Sequence, residues 1–572
     1  MTVAATAPSH PHLEQLRPGV HQLVVDGKPF LMRSGELNNS SMSSAEFMRD
    51  VWPKMQRESV NTLLGGVHWD QIEPVEGQFD FSELDQVIVD ARAHGIRLVL
   101  LWFASFKNGS SEYAPGWVKT DSKRFPRQKV KNADGKVTTA NYLSVCDPKH
   151  TGRDADAKAF KRLMEHVREV DGAHGTVIMV QVENETGLLG DSRDRSAIAD
   201  GLFEAAVPAD LVEVFATRWD SFNETIRSTF TKQQASGSIK ASATWEEAFG
   251  SSKSTDELFQ AYHYSKYVNA VAAAGKAVYP IPHYTNAWLR NIPDGAAVEG
   301  ATVVGFGGIF PGAYPSGGPV ETVMDIWMEF APALDFLAPD IYMDGYDTTL
   351  ALYTHRAQPL FVPEQRRDTF GAIRVWSAIG KYGALGATPF AIDCAEPEDS
   401  PYTEHYALLK QAAPHILQAR IEGRQISGFH FDAFEKGSTD PSPARTLVFG
   451  EWELLVERAM VFGHPAEAYG IIIQAAESNK FLFIGAGFQV TFKSTNKDAT
   501  YTGILTCDEK VVVDDETGEL RTGRMLNGDE TQQGMKVIMP SKEIDFGDYW
   551  FIAMTVPART RIAECSVYAL YD

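Results

Sequence analysis

Hydrophobic positions along this chain fall into two regimes. Over about residues 20–400, short apolar or β-branched runs alternate with stretches whose apolar residues recur every three or four positions. That is the pattern of βα units around a parallel sheet, whose strands are buried on both faces. Val60–Val67 (VNTLLGGV) reads as one strand. A turn-rich linker follows, and Ser82 is placed to cap a helix whose inner face is Leu84, Val87, Ile88 and Ala91. Gly95 ends that helix, and Ile96–Phe103 (IRLVLLWF) is the next strand. Phe160, Leu163, Met164 and Val167 mark a second helix face, before the strand Thr176–Val182. Ser254 and Glu257 have capping-box spacing for a helix ending at Gly275. With Phe30–Arg33, Ala277–Pro282, Leu337–Met343, Pro359–Val362 and Ala387–Ile392, the count reaches eight strands.

Eight parallel strands predict a (β/α)8 TIM barrel, whose reactive groups sit at the C-terminal strand ends. An open doubly wound sheet is the rival, weakened because no Gly-rich phosphate loop follows any strand. After about residue 420 the pattern changes to alternation across a turn at Ser478-Asn479 in GIIIQAAESNKFLFIGAGFQVTF, with a further strand expected at Asp548–Val556. This predicts an antiparallel β-sandwich, more simply a packing module than an independent sugar binder. The expected division is an N-terminal segment 1–28, a barrel 29–419 with an insertion at about 188–253, and a β-domain 420–572.

A length of 572 residues suits several cores, and 44% hydrophobic content can fill them. The net charge of −22 argues against nucleic acid as a partner but not against a neutral sugar. Four scattered cysteines suit a reducing compartment, and no apolar stretch is long enough to span a bilayer. The N-terminus lacks the pattern of a secretory signal. A cytoplasmic protein without a membrane partner is expected, or a periplasmic one if a signal has been removed. Homo-oligomerisation is left open.

The candidate chemistry lies at strand ends. TVIMVQVENETG is an unbroken apolar run that stops on Glu183-Asn184-Glu185. A second carboxylate, Glu364 in PLFVPEQRRD, has the same setting three strands further on. In a closed barrel the ends of the fourth and seventh strands face one another. Two carboxyls about 5–5.5 Å apart suit a retaining glycosidase, and about 6.5–9.5 Å an inverting one. Taken singly, either glutamate is equally well a solvated strand end, and Glu364 could simply pair with Arg366 or Arg367. Glu183, two residues before Glu185, is expected on the same side of its strand as a support or ion-pair partner. Sugar sites also use flat apolar faces and polar groups. Trp69, Trp102 and Trp288 near strand ends, and Lys107 and Asn108 after the third strand, are candidates, although buried tryptophans and polar loops are common. His68 and His283 are more simply structural. No His/Asp/Glu cluster has metal-ligand spacing, so neither a metal nor an organic cofactor is expected.

Three segments carry a family resemblance. Gln181–Gly187 (QVENETG) resembles the Q-x-E-N-E-Y-G signature of the family 35 glycoside hydrolases, the β-galactosidases. Trp69–Phe81 (WDQIEPVEGQFDF) is similar to that family's segment after the second strand, and Gly35–Ser41 (GELNNSS) to the first-strand end of a bacterial branch with an extra C-terminal β-domain. The resemblance covers about residues 30–400. It implies Glu185 as acid/base and Glu364 as nucleophile, with retention through a glycosyl-enzyme. It further implies Asn184 on the sugar 2-hydroxyl, Tyr342 beside the nucleophile, and Glu36 in the site. Thr186 and Ser105 depart from it: the family usually has Tyr at the first position and, at the second, a Glu that binds sugar hydroxyls. The expected activity is release of terminal non-reducing β-D-galactose from a small-molecule or oligosaccharide glycoside. The alternatives are the same mechanism on a β-fucoside, α-L-arabinopyranoside or β-glucoside, a non-catalytic carbohydrate-binding barrel, or a metal-dependent aldolase or hydrolase.

Overall fold

The computed structural model describes residues 10–231, 239–240, 242–290, 308–343, 345–434, 438–459, 467–541 and 559–571. Strands β1 (His12–Arg17), β2 (Val20–Val25) and β3 (Lys28–Phe30) form an antiparallel meander. Then come β4 (Ser34–Glu36), β5 (Thr62–His68) and β6 (Arg97–Lys107), a hairpin of β7 (Arg127–Lys131) and β8 (Val137–Leu143), and β9 (Val177–Asn184). Strands β10 (His283–Trp288), β11 (Phe336–Ile341), β12 (Val362–Gln365) and β13 (Ala387–Pro389) complete one eight-stranded sheet in the order β13-β12-β11-β10-β9-β6-β5-β4. Its adjacent strands pair in parallel. The ends meet where Met32 N donates to Leu385 O at 3.1 Å and the Ser34 and Thr388 hydroxyls bond at 2.7 Å. The sheet is thus a nearly closed (β/α)8 barrel.

Strand periodicity sorts the barrel's side chains between two cores. Leu64, Val99, Leu101, Phe103, Tyr284, Phe336, Ala338 and Phe361 fill the lumen. Leu63, Leu98, Leu100, Trp102 and Leu337, offset by one, pack outward against the helices. Leu23 and Val25 of β2 join the lumen cluster and cover its lower end, so the N-terminal segment is part of the barrel's packing. Of the predicted helices, Ser82–Ala93 buries Leu84, Val87, Ile88 and Ala91 as expected. Ser82 is its first residue rather than its cap, since Asp80 already accepts from the Ser82 N–H. The long helix Lys253–Lys276 is capped by Ser252, not by a Ser254/Glu257 box, because Glu257 is buried and accepts from the Tyr314 hydroxyl at 2.8 Å.

Three strands lie elsewhere than the pattern suggested, the seventh running over Val362–Gln365 instead of Pro359–Val362, where it pairs with β11 and β13. The first begins at Ser34, because Phe30 ends the meander. The fifth begins at His283, because the last turn of the preceding helix runs into Ala277.

Ten further strands follow among the described residues: β14 (Ile426–Phe431), β15 (Arg445–Phe449), β16 (Trp452–Arg458), β17 (Ala468–Gln474), β18 (Lys480–Ala486), β19 (Phe488–Ser494), β20 (Tyr501–Asp514), β21 (Glu519–Met525), β22 (Lys536–Met539) and β23 (Ile562–Leu570). They build antiparallel sheets β14-β17-β18-β23-β20-β21 and β15-β16-β19-β22 over a common core. The first sheet is buried on both faces: Ile472, Phe481 and Phe483 face the second sheet, whereas Ile471, Ile473, Leu482 and Ile484 join the barrel's outer core. Two small residues permit that junction, since a Cβ on Gly380 of helix Thr369–Gly380 would meet Gly428 Cα at 2.6 Å. The strand expected at Asp548–Val556 lies outside the described residues. No described helix is long and apolar enough to cross a membrane.

Candidate active site

The C-terminal ends of β4, β6, β9, β10, β11 and β12 bring together a dense set of buried polar groups. Glu185 follows β9 directly and Glu364 lies on β12; they are only 8% and 6% exposed. Asp340 of β11 is in register with Glu364 on the adjacent strand. One carboxyl oxygen from each of Glu185, Asp340 and Glu364 lies within 4.8 Å of the others. Among the described residues no other group of three or more His, Cys, Asp or Glu side chains converges in this way. The opposed carboxyls expected at the fourth and seventh strand ends are therefore brought to one place.

Neutral donors and one cation surround the cluster. The Tyr342 hydroxyl donates to Glu364 Oε2 at 2.8 Å, with longer contacts to Oε1 from Asn286 Nδ2 at 3.4 Å and Asn184 Nδ2 at 3.5 Å. Asn286 also donates to Asp340 Oδ2 at 2.7 Å, while its own Oδ1 accepts from the Glu185 N–H at 2.8 Å. One amide thus touches all three acid-bearing residues. Lys107 Nζ donates to the side chains of Asn184 and Asn108, each at 2.9 Å, and lies 4.8 Å from the Phe103 ring centroid. Asn108 itself is exposed on the turn that follows. Glu36 is fully buried at the end of β4, and both its carboxyl oxygens lack a hydrogen-bond partner among the described residues.

The electrostatics follow from crowding. Burial, then the neighbouring Glu364 charge, pushes the Glu185 carboxyl up to about 8, with Lys107 opposing. Burial and Glu364 likewise hold Glu36 and Asp340 well above the usual carboxylate range. Four carboxyls and one ammonium in so small a space cannot all be ionised.

The structure sorts the remaining candidates. Trp288 is half-buried at the end of β10, in register with Asp340. Trp69 and Trp102, expected as sugar platforms, are fully buried in the outer core. Their indole N–H groups donate to Glu73 and Asp156, each at 2.8 Å, so neither offers a ring face to the mouth. Glu183 also departs from expectation. Its backbone is left-handed (φ 59°), as is that of Glu185 (φ 46°), and this breaks the period-two alternation. The Glu183 side chain turns to the helix side, accepts from the Phe106 N–H at 2.7 Å and lies against the Asp156 carboxyl. It is paired with an acid, not with a cation. Ser105 is buried, bonded to the Tyr267 hydroxyl at 2.8 Å. His283 is buried against Phe160, and His68 stacks on Phe103 and bonds Asn39 O.

Sequence reasoning missed Asp340 and Asn286. Asp340 was visible in principle, since Phe336 and Ala338 face the lumen and place Asp340 on the same side. Asn286 was hidden because the fifth strand was placed several residues too early.

Residues 39–211 match the family model described as β-galactosidase, that of glycoside hydrolase family 42. This corrects the family 35 attribution drawn from QVENETG. Residues 402–538 match a domain of unknown function, DUF5597.

A β-galactosidase of Xanthomonas manihotis is 30% identical over 184 residues, which is 31% of this chain and 27% of that protein; the match thus spans about a quarter of the relative's length. Among solved structures, β-galactosidases from the psychrophilic Marinomonas ef1 and from Bacillus circulans sp. alkalophilus are similar. The first has a TM-score of 0.44 at 14% identity, covering 68% of this chain and 60% of that one. The second has a TM-score of 0.41 at 16% identity, covering 68% and 57%.

Proposed function

We propose that this chain is a retaining exo-glycosidase that releases terminal non-reducing β-D-galactose. The observation that carries the reading is the Glu185/Glu364 pair, buried, with carboxyl oxygens within 4.8 Å and unlike surroundings. Oxygens so close favour the roughly 5–5.5 Å carboxyl separation of double displacement over the roughly 6.5–9.5 Å of an inverting pair. Glu364, held by Tyr342 and the two asparagine amides, is the nucleophile. Glu185, raised to about 8, carries a proton at neutral pH and is the acid/base.

In the first step a Glu364 oxygen attacks the anomeric carbon. The bond to the leaving oxygen breaks, and Glu185 gives that oxygen its proton. In the second step Glu185 takes a proton from water, the water oxygen attacks the same carbon, and the glycosyl ester to Glu364 breaks. Two inversions give net retention. Asn184, held by Lys107, is placed for the sugar 2-hydroxyl. Glu36 presents to further hydroxyls two carboxyl oxygens that have no partner among the described residues. Trp288 is the remaining aromatic candidate for the sugar's apolar face.

The preference for galactose rests on the family model's description and the relative's name. The β-domain acts as a buttress, a reading supported by the apolar face it shares with the barrel helices.

Nitrophenyl β-galactoside, β-fucoside, α-L-arabinopyranoside and β-glucoside, with the first-formed anomer followed by NMR, test this reading. The galactoside should turn over fastest and release the β-anomer first. Initial release of the α-anomer would make the enzyme inverting, and no turnover of any substrate would leave a binding barrel.

A further inference from the structure

Asp340 has no role in the mechanism above, yet it lies among the reacting groups. It is 4% exposed, and its Oδ1 finds no hydrogen-bond donor among the described residues. Its Oδ2 is occupied by Asn286 at 2.7 Å. A buried carboxylate oxygen without a donor is costly. The group that faces it here is the Glu185 carboxyl, within hydrogen-bonding reach. Two carboxyls can satisfy each other when they hold one proton between them, as an O–H···O⁻ bond.

We propose that Asp340 is a positioning residue for the acid/base: it shares one proton with Glu185 and fixes that carboxyl at the leaving-group side. The inference rests on the reading of Glu185 as acid/base. Before the first step the pair carries one proton and one negative charge, and Glu364 carries another. When the glycosidic oxygen takes the proton, the leaving group departs neutral, Glu364 becomes a neutral ester, and the pair holds both charges. The doubly ionised pair is then a strong base toward the incoming water and regains its proton as that water attacks. Asn286 ties the arrangement together by contacting both acids' elements and Glu364.

Several groups face this pair. Glu364 comes from β12, Glu36 from β4, Lys107 from β6 and Tyr284 from β10, with Tyr342 beyond β11 itself and Tyr353 from the helix Tyr346–Tyr353. Of these Lys107 is the cation, the carboxyls of Glu364 and Glu36 disfavour a second negative charge, and the tyrosines, raised by burial and by the acids beside them, stay neutral. Burial and Glu364 raise both carboxyls of the pair, which agrees with a proton held between them at neutral pH.

The test compares Asp340→Asn and Asp340→Glu with the wild type on 2,4-dinitrophenyl β-galactoside, whose leaving group needs no proton, and on lactose, whose leaving group does. For Asp340→Asn, kcat/KM on lactose should fall at least about ten-fold further than on the activated substrate, and its basic limb should shift by about one pH unit, because the carboxyl that shares the proton with Glu185 is gone. Asp340→Glu should recover part of both. Equal losses on the two substrates with an unmoved basic limb would reduce Asp340 to a structural role and overturn the proposal.

Should Asp340→Asn fail to unfold cooperatively, Asp340→Ala with added formate carries the same test. Recovery confined to lactose supports the shared proton, and no recovery or equal recovery overturns it. Loss of wild-type activity in EDTA, restored by a divalent cation, would place a metal rather than a proton between the carboxyls and also overturn it. If the wild type turns over no glycoside, the acid/base reading itself has failed. If it turns over and only Asp340's effects are absent, that reading stands without this inference.

Discussion

Two buried carboxyl pairs flank the end of β9. On the lumen side Glu185 meets Asp340, and on the helix side Glu183 meets Asp156. Both glutamates come from the same three residues, both have left-handed backbone, and both are raised above the usual carboxylate range by burial. The outer pair is enclosed: Trp102 donates to Asp156, Phe106 N–H donates to Glu183, and Tyr267 lies beside them. The inner pair faces Glu364, Lys107 and the carboxyl of Glu36. A raised carboxyl is therefore no mark of catalysis in itself. What distinguishes the inner pair is a further carboxyl, Glu364, brought within 4.8 Å of both at the C-terminal strand ends.

The sharpest way to separate the two sides is to remove their acids one at a time. Glu364→Gln should lower kcat/KM on an aryl β-galactoside by about 10⁴-fold or more, with the thermal midpoint nearly unchanged. Full activity in that variant would remove the nucleophile from the account. Glu185→Ala should cost about 10²–10⁴-fold on lactose and much less on a dinitrophenyl galactoside, which needs no acid. In the wild type the basic limb of kcat/KM should lie near pH 8, since Glu185 must be protonated to act and loses its proton around that value.

Glu36→Gln tests the floor of the mouth. If Glu36 bonds sugar hydroxyls, kcat/KM should fall about 10- to 100-fold, in keeping with a lost buried hydrogen bond of about 1–3 kcal/mol. One monodeoxy galactoside should lose its penalty in this variant. Equal penalties for every deoxy substrate in variant and wild type would remove Glu36 from the sugar contacts.

Glu183→Gln should leave kcat/KM within about three-fold, because no reacting atom meets that side chain. Its effect should appear in stability. The folded-state value of Glu183 is raised, so its contribution is complete below the unfolded value of about 4.5 and is lost as pH rises through the folded value. The substitution should make the alkaline decline shallower, by at most about 1.4 kcal/mol per pH unit. A large kinetic loss with an unchanged decline would erase the distinction between the two sides.

The same comparison explains what the sequence made legible. Continuous apolar runs set most barrel strands, and the polar stop after Val182 located the end of β9 where Glu185 joins the carboxyl cluster. Period-two reasoning then failed at Glu183, because a left-handed residue turns the side chain over and no local pattern announces it. Trp102 could have been placed correctly: it is offset by one from Leu101 and Phe103, which face the lumen, so it faces the helices. Asp340 followed from the same arithmetic. Asn286 did not, because the apolar residues after the helix, Ala277–Pro282, read as a strand but form the turn out of it, and the strand begins only at His283. In the β-domain, GIIIQ and FLFI are apolar on both faces because one face meets the barrel, a partnership that local alternation cannot reveal.

In the proposed reaction Glu364 forms a bond to the anomeric carbon. Incubation with 2,4-dinitrophenyl 2-deoxy-2-fluoro-β-galactoside, followed by proteolysis and mass spectrometry, reads that bond directly. The expected result is time-dependent inactivation with one fluorosugar ester on the peptide containing Pro359–Asp368, at Glu364. A label on another residue, or continued turnover of a galactoside without any label, would contradict it.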